Sequence, residues 1–141
     1  MAMGTKDQAY KELKGKNPRG NWVIFRKKWK NGRRLMGKIT DFVSALEEDY
    51  NHMIEKIESK EKTGFRVGYY TIFHKKIKKG KEISKKDRKK SFYVNYGSQM
   101  AGRSNEKTFY KLLINAFKKD NFFNKEFKKK IFSILSKEFK K

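Results

Sequence analysis

The sequence predicts an α+β fold: a small antiparallel sheet from two pseudo-repeated β-hairpin–helix units, with terminal helices packing on one face. Three observations carry that expectation. Two aromatic and β-branched segments each end in a short-turn signal, apolar residues recur at helical spacing after each of them, and the two segments align without a gap. Trp22-Val23-Ile24-Phe25-Arg26-Lys27-Lys28-Trp29-Lys30-Asn31-Gly32 matches Tyr70-Thr71-Ile72-Phe73-His74-Lys75-Lys76-Ile77-Lys78-Lys79-Gly80 at an offset of 48 residues, sharing Ile, Phe, three Lys and Gly.

Taken in order, residues 6–14 read as a short helix ended by Gly15 and the Asn17-Pro18-Arg19-Gly20 turn. Residues 1–20 thus precede a single basic domain over 21–141, with repeat units at about 21–61 and 66–119. In the first unit Asn31-Gly32 is a strong hairpin signal, because a type I′ turn needs positive φ at both central residues; Lys79-Gly80 is the weaker counterpart. Phe25 and Trp29 fall on one face of the incoming strand and Arg26, Lys28 and Lys30 on the other, while Trp22 and Ile24 break the alternation. The helix of this unit is expected from Val43, Leu46, Tyr50, Met53, Ile54 and Ile57, with Thr40 or Asp41 as its N-cap. The second unit adds a strand, Phe92-Tyr93-Val94-Asn95-Tyr96. Its helix is expected from Phe109, Leu112, Leu113, Ala116 and Phe117, capped by Ser104. Residues 124–140 form a basic amphipathic helix whose Phe127, Ile131, Ile134, Leu135 and Phe139 are expected to dock on the domain core.

Charge points to the partner. The chain carries 38 Lys+Arg against 15 Asp+Glu, a formal net charge of +23. Self-repulsion of that size opposes compactness unless a polyanion offsets it. Residues 1–40 hold 12 basic and 2 acidic side chains, residues 41–61 hold 2 and 7, and residues 62–141 hold 24 and 6. The acidic block is therefore expected to face away from a polyanionic ligand. Only seven of the basic residues are Arg; lysine is a point charge, so backbone attraction is favoured over base reading. An aromatic content of 15% argues for a folded core despite a mean hydropathy of −0.99.

These features lead to the expectation of a nucleic-acid binder without catalytic residues, metal or cofactor, duplex DNA being favoured over RNA. Arg26, Lys28, Lys30, Arg33 and Arg34 are the candidate contacts of the first unit. Lys75, Lys76, Lys78 and Lys81 are those of the second, followed by the loop Lys85, Lys86, Arg88, Lys89 and Lys90, and by Arg103. The alternatives are an RNA or single-strand binder, with Trp29, Tyr69, Tyr70, Tyr93 and Tyr96 as stacking candidates, and an inhibitor of an acidic protein or of a nucleic-acid groove. Glu48 and His52, one helical turn apart on the expected helix, are better read as a solvated acidic face than as a metal site. There is no cysteine, which excludes disulfides and thiolate metal sites. No apolar run approaches the ~20 residues of a membrane span, and no stretch near Met1 resembles a signal peptide. A membrane partner is therefore not favoured and a cytoplasmic location is expected. The abundance of Lys, Asn, Ile, Phe and Tyr suggests an AT-rich genome of the kind many bacteriophages carry.

Gly68-Tyr69-Tyr70 and Tyr93-Val94-Asn95-Tyr96-Gly97, with Arg103 and Glu106 downstream, resemble the two short motifs and the catalytic Arg and Glu of GIY-YIG nucleases. The second motif carries two extra residues, the separation is longer than that family shows, and Arg103 precedes the helical stripe. The resemblance implies at most a degenerate nuclease.

Overall fold

Thr5 opens the first helix, α1 (Lys6–Lys14), through a reciprocal capping box: Gln8 N donates to Thr5 Oγ1 and Thr5 N donates to Gln8 Oε1 at 2.9 Å. Gly15 closes it, its N–H reaching Lys11 O at 3.0 Å. The turn that follows is held by Asn17 Oδ1 accepting from Arg19 N at 3.1 Å, with Gly20 at φ 89°. This N-terminal segment folds where the sequence placed it. The computed structural model describes residues 3–28, 30–74, 92–94 and 104–140.

Six strands are described: β1 (Met3–Gly4), β2 (Trp22–Arg26), β3 (Leu35–Glu47), β4 (Tyr50–Glu58), β5 (Thr63–His74) and β6 (Phe92–Val94). They pair antiparallel in the order β1-β6-β5-β4-β3-β2. Helices α2 (Glu106–Lys118) and α3 (Lys125–Phe139) complete the α+β architecture. Asn105 caps α2 and Asn124 caps α3, each side-chain oxygen accepting from a backbone N–H three residues on at 2.8 Å. The cap of α2 is thus one residue beyond the expected Ser104.

The principal correction concerns residues 41–58. They form two strands joined by a turn at Glu48-Asp49, with Glu48 at φ 49°, where a helix was expected. Both faces of this hairpin are covered. Phe42, Leu46 and Met53 pack with Ala9 and Leu13 of α1, and Val43, Ala45 and Ile54 pack with Leu112 and Ala116 of α2. A strand buried on both faces loses its period-two alternation, and its apolar positions can then satisfy a helical template by coincidence. The first unit is therefore three strands, and a repeated hairpin–helix is not the architecture. The helices also lie on opposite faces of the sheet, because neighbouring residues such as Met53 and Ile54 point to opposite sides.

The sheet curls at its β2 end. Phe25, on the inner face of β2, reaches across to Gly64 of β5, and a Cβ at Gly37 would meet the Phe25 side chain and Ile57. Ile39 and Ile57 are buried beneath this closure. A bulge between Ile39 and Asp41 sharpens the bend. Asp41 there joins three elements: Oδ1 accepts from Arg19 Nη2 at 2.8 Å and from its neighbour Phe42 N at 2.9 Å, and lies 2.7 Å from Lys119 Nζ at the end of α2. Glu55, fully buried on the inner face, accepts from Arg66 Nε at 2.9 Å and from the Tyr70 hydroxyl at 3.2 Å. A buried carboxylate is tolerable only with such partners.

Phe122 and Phe123, in the turn before α3, plug the outer core against Phe65 and Phe117. The C-terminal helix departs from expectation. No residue of α3 is buried, and Phe132, Ile134, Leu135 and Phe139 are 73%, 58%, 50% and 86% exposed. Of the expected stripe, Phe127 meets the outer core, its ring centre 4.8 Å from that of Phe123, while Ile134, Leu135 and Phe139 stay exposed. No helix among the described residues is long and apolar enough to cross a membrane.

Candidate nucleic-acid interface

Alternation along β2 places Val23 and Phe25 inward and Trp22, Ile24 and Arg26 outward. Their cross-strand partners are set by register: Trp22 opposes Lys38 and Ile24 opposes Met36. The outer face therefore presents an apolar floor of Trp22, Ile24 and Met36, exposed by 64%, 45% and 41%. Lys38 Nζ stands over the indole, 5.9 Å from its centre.

Lys30, Asn31, Arg33 and Arg34, from the segment before β3, border this floor. Asn31 and Gly32 take positive φ, 61° and 69°, as the turn signal requires, although the connection is a longer loop with a 3-10 segment at Lys30–Gly32. Across from it, the β4–β5 turn is tied by Ser59 Oγ, which accepts from Lys62 N at 2.9 Å and from Glu61 N at 3.3 Å. The two loops meet where Lys30 Nζ approaches Glu61 Oε2 at 3.7 Å. Between them lies an open groove of ≈770 Å³. Lys30, Arg33, Arg34, Lys38 and Lys60 line it together with Trp22.

Of the expected contacts, Lys30, Arg33 and Arg34 converge on this groove. Arg26 and Lys28 are exposed but stand outside it. Lys28 and Lys30 belong to the loop, and do not form a strand face with Arg26. Lys75, Lys76, Lys78, Lys81, Lys85, Lys86, Arg88, Lys89, Lys90 and Arg103 lie outside the described residues, as do Trp29, Tyr96 and the Lys79-Gly80 turn. Lys38, Lys60 and Trp22 were not anticipated. The signal for Trp22 was present: its break in the alternation places it on the outer face with Arg26.

The acidic block is divided by the hairpin. Glu58 and Glu61 line the groove beside the cations, so the block is not segregated as expected. Glu48 sits in the turn, whereas His52 is buried and faces Glu47, with Nε2 3.1 Å from Glu47 Oε2 at a geometry short of a hydrogen bond. Burial pushes the His52 imidazole below its ordinary pKa, outweighing the raising effect of the Glu47 carboxylate. Glu47 in turn accepts from Asn105 N at 3.1 Å, joining the β3–β4 hairpin to the start of α2. No cluster of three or more His, Cys, Asp or Glu able to hold a metal is found among the described residues.

Tyr70 is buried with its hydroxyl on Glu55, which removes it as a stacking surface, and Tyr69 packs against Tyr50 and His52. In the nuclease-like segment Gly68-Tyr69-Tyr70 lies in β5, Glu106 is exposed in the first turn of α2, and residues 95–97 lie outside the described residues. Compared with protein-family models, with curated proteins and with solved structures, the chain matches none.

Proposed function

We propose that the chain binds the phosphate backbone of a nucleic acid through the groove end of the sheet. The observation that carries this reading is the convergence of Lys30, Arg33, Arg34, Lys38 and Lys60 from two loops and a strand onto one concave surface. Two carboxylates, Glu58 and Glu61, accompany them, and the whole chain has a net charge of +23. Field lines focus in such a concavity and raise the local concentration of a polyanion. The expectation of duplex DNA leaned on two equivalent hairpins. One of them is described, so the backbone reading goes forward without a requirement for duplex.

A salt titration of a labelled oligonucleotide, followed by fluorescence anisotropy, tests it. Neutralising about five phosphates gives a slope of log K against log salt of about −3.5 for a single strand or −4.5 for a duplex. A slope shallower than about −2 would exclude backbone neutralisation as the source of affinity.

A further inference from the structure

We infer that the groove takes an unpaired nucleotide, its base stacked on Trp22 and its flanking phosphates held by the rim cations, so that the ligand is a single-stranded nucleic acid. This deepens the backbone-binding reading and rests on it.

Trp22 is the first observation. An indole is a large apolar surface, normally buried with only its N–H placed to meet a polar partner. Here it is 64% exposed at the start of the edge strand β2, paired with Lys38 and next to exposed Ile24 and Met36. Core packing does not explain it, since Val23 and Phe25 supply the inward side chains of β2. Aromatic side chains presented in a cationic groove are the device by which single strands are held without dependence on sequence, because every base offers a π-face.

The arrangement around Trp22 matches the parts of a nucleotide. Lys38 lies over the indole, and Lys30, Arg33, Arg34 and Lys60 stand at the rim where a backbone would run. Glu58 and Glu61 are unsuited to phosphate but can accept from the amino groups on base edges, as carboxylates do from cytosine N4. A purely phosphate-binding surface would have no use for the exposed indole.

The accessibility of a base face selects the strand state. In a duplex each base face is covered by its neighbours, so an indole on a strand has no π-face to meet unless it wedges a step apart. An unpaired base offers that face freely.

The experiment compares a fluorescein-labelled oligothymidylate, an oligouridylate of equal length and a hairpin duplex at one salt concentration. Both single strands should bind more tightly than the duplex, and the difference between them reports contacts to the 2′-hydroxyl. Trp22→Ala should weaken single-strand binding about 5- to 160-fold, the span of one lost base–aromatic stack, and leave duplex binding nearly unchanged. Trp22→Phe should retain most of the affinity. Circular dichroism checks folding. Independently of either variant, Trp22 emission in an otherwise intact Trp29→Phe chain should be quenched on adding oligothymidylate. Tighter binding of duplex, or unchanged single-strand affinity in Trp22→Ala without quenching, would overturn the stacking inference while leaving backbone binding in place. Failure of all three nucleic acids to bind would remove both.

Discussion

The ring of Phe25 lies against the backbone of Gly64 from the far side of two intervening strands, and a Cβ at Gly64 would meet Phe25 Cζ at 2.6 Å. The curl of the sheet, and with it the meeting of the two loops that form the groove, depends on this approach. Gly64→Ala should therefore force the ring or the strand aside, at about 1–3 kcal/mol. Phe25→Leu shortens the same side chain, so its cost should be smaller in the Gly64→Ala background than in the wild-type chain. Chemical denaturation of the four chains in that double-mutant cycle measures the coupling. Additive losses would mean that the two residues do not share the contact.

Stability should depend on pH in two separable windows. His52 has its pKa lowered in the folded chain, so below about 6.5 the unfolded chain takes up a proton that the folded one resists. Its contribution is neutral above that value and turns destabilising as pH falls through it. Asp41 behaves as a stabilised carboxylate. Burial alone would raise its pKa, but Lys119, Arg19 and the Phe42 N–H together hold it below the ordinary 3.8. The stability it confers is present above that value and is lost as pH falls further. Denaturant midpoints across pH 7.5 to 3 are the measurement: His52→Gln should flatten the upper window only, and Asp41→Asn the lower one only.

What the sequence revealed follows from how local each signal is. The short helix ended by Gly15 and the paired positive φ of Asn31 and Gly32 are decided within a few residues, and both stand where they were expected; the capping box at Thr5 and Gln8 is equally local but was not anticipated. The helices at 106–118 and 125–139 keep a one-sided apolar stripe and were legible for that reason. Residues 41–58 were not, because helices cover that hairpin from both sides, and no local pattern announces a second cover. Within the groove, Arg33 and Arg34 follow from the turn beside them. Lys60 joins them only because β4 and β5 bring a distant turn alongside, a relation set by strand register.

Plasmid DNA should survive the protein intact. Tyr70, the last residue of the nuclease-like Gly68-Tyr69-Tyr70 segment, points into the inner core and donates to Glu55, so it is not presented to a scissile phosphate. Incubation of supercoiled plasmid with the protein and Mg²⁺ or Mn²⁺ should leave the supercoiled band unchanged on a gel. Nicking that vanishes with Arg103→Ala or Glu106→Ala would instead favour the degenerate nuclease.

Whether affinity resides in the groove or in diffuse positive charge is decided by reversals of equal size at two places. Arg33→Glu with Arg34→Glu alters the groove rim, and Lys130→Glu with Lys137→Glu makes the same change of net charge on the exposed polar side of α3. Long-range attraction responds to both about equally, but it is screened beyond roughly 8 Å at physiological salt. Direct phosphate contacts respond only to the first. Losing two such contacts should weaken binding on the order of 10- to 30-fold near 0.15 M salt and make the salt slope shallower by about 1.4 to 1.8. The α3 pair should change affinity by less than about threefold and leave the slope as it was. All four positions are exposed and none lies in a core cluster, so circular dichroism should show both variants folded. Equal losses from the two reversals would place the binding in the overall charge and dissolve the case for a defined site.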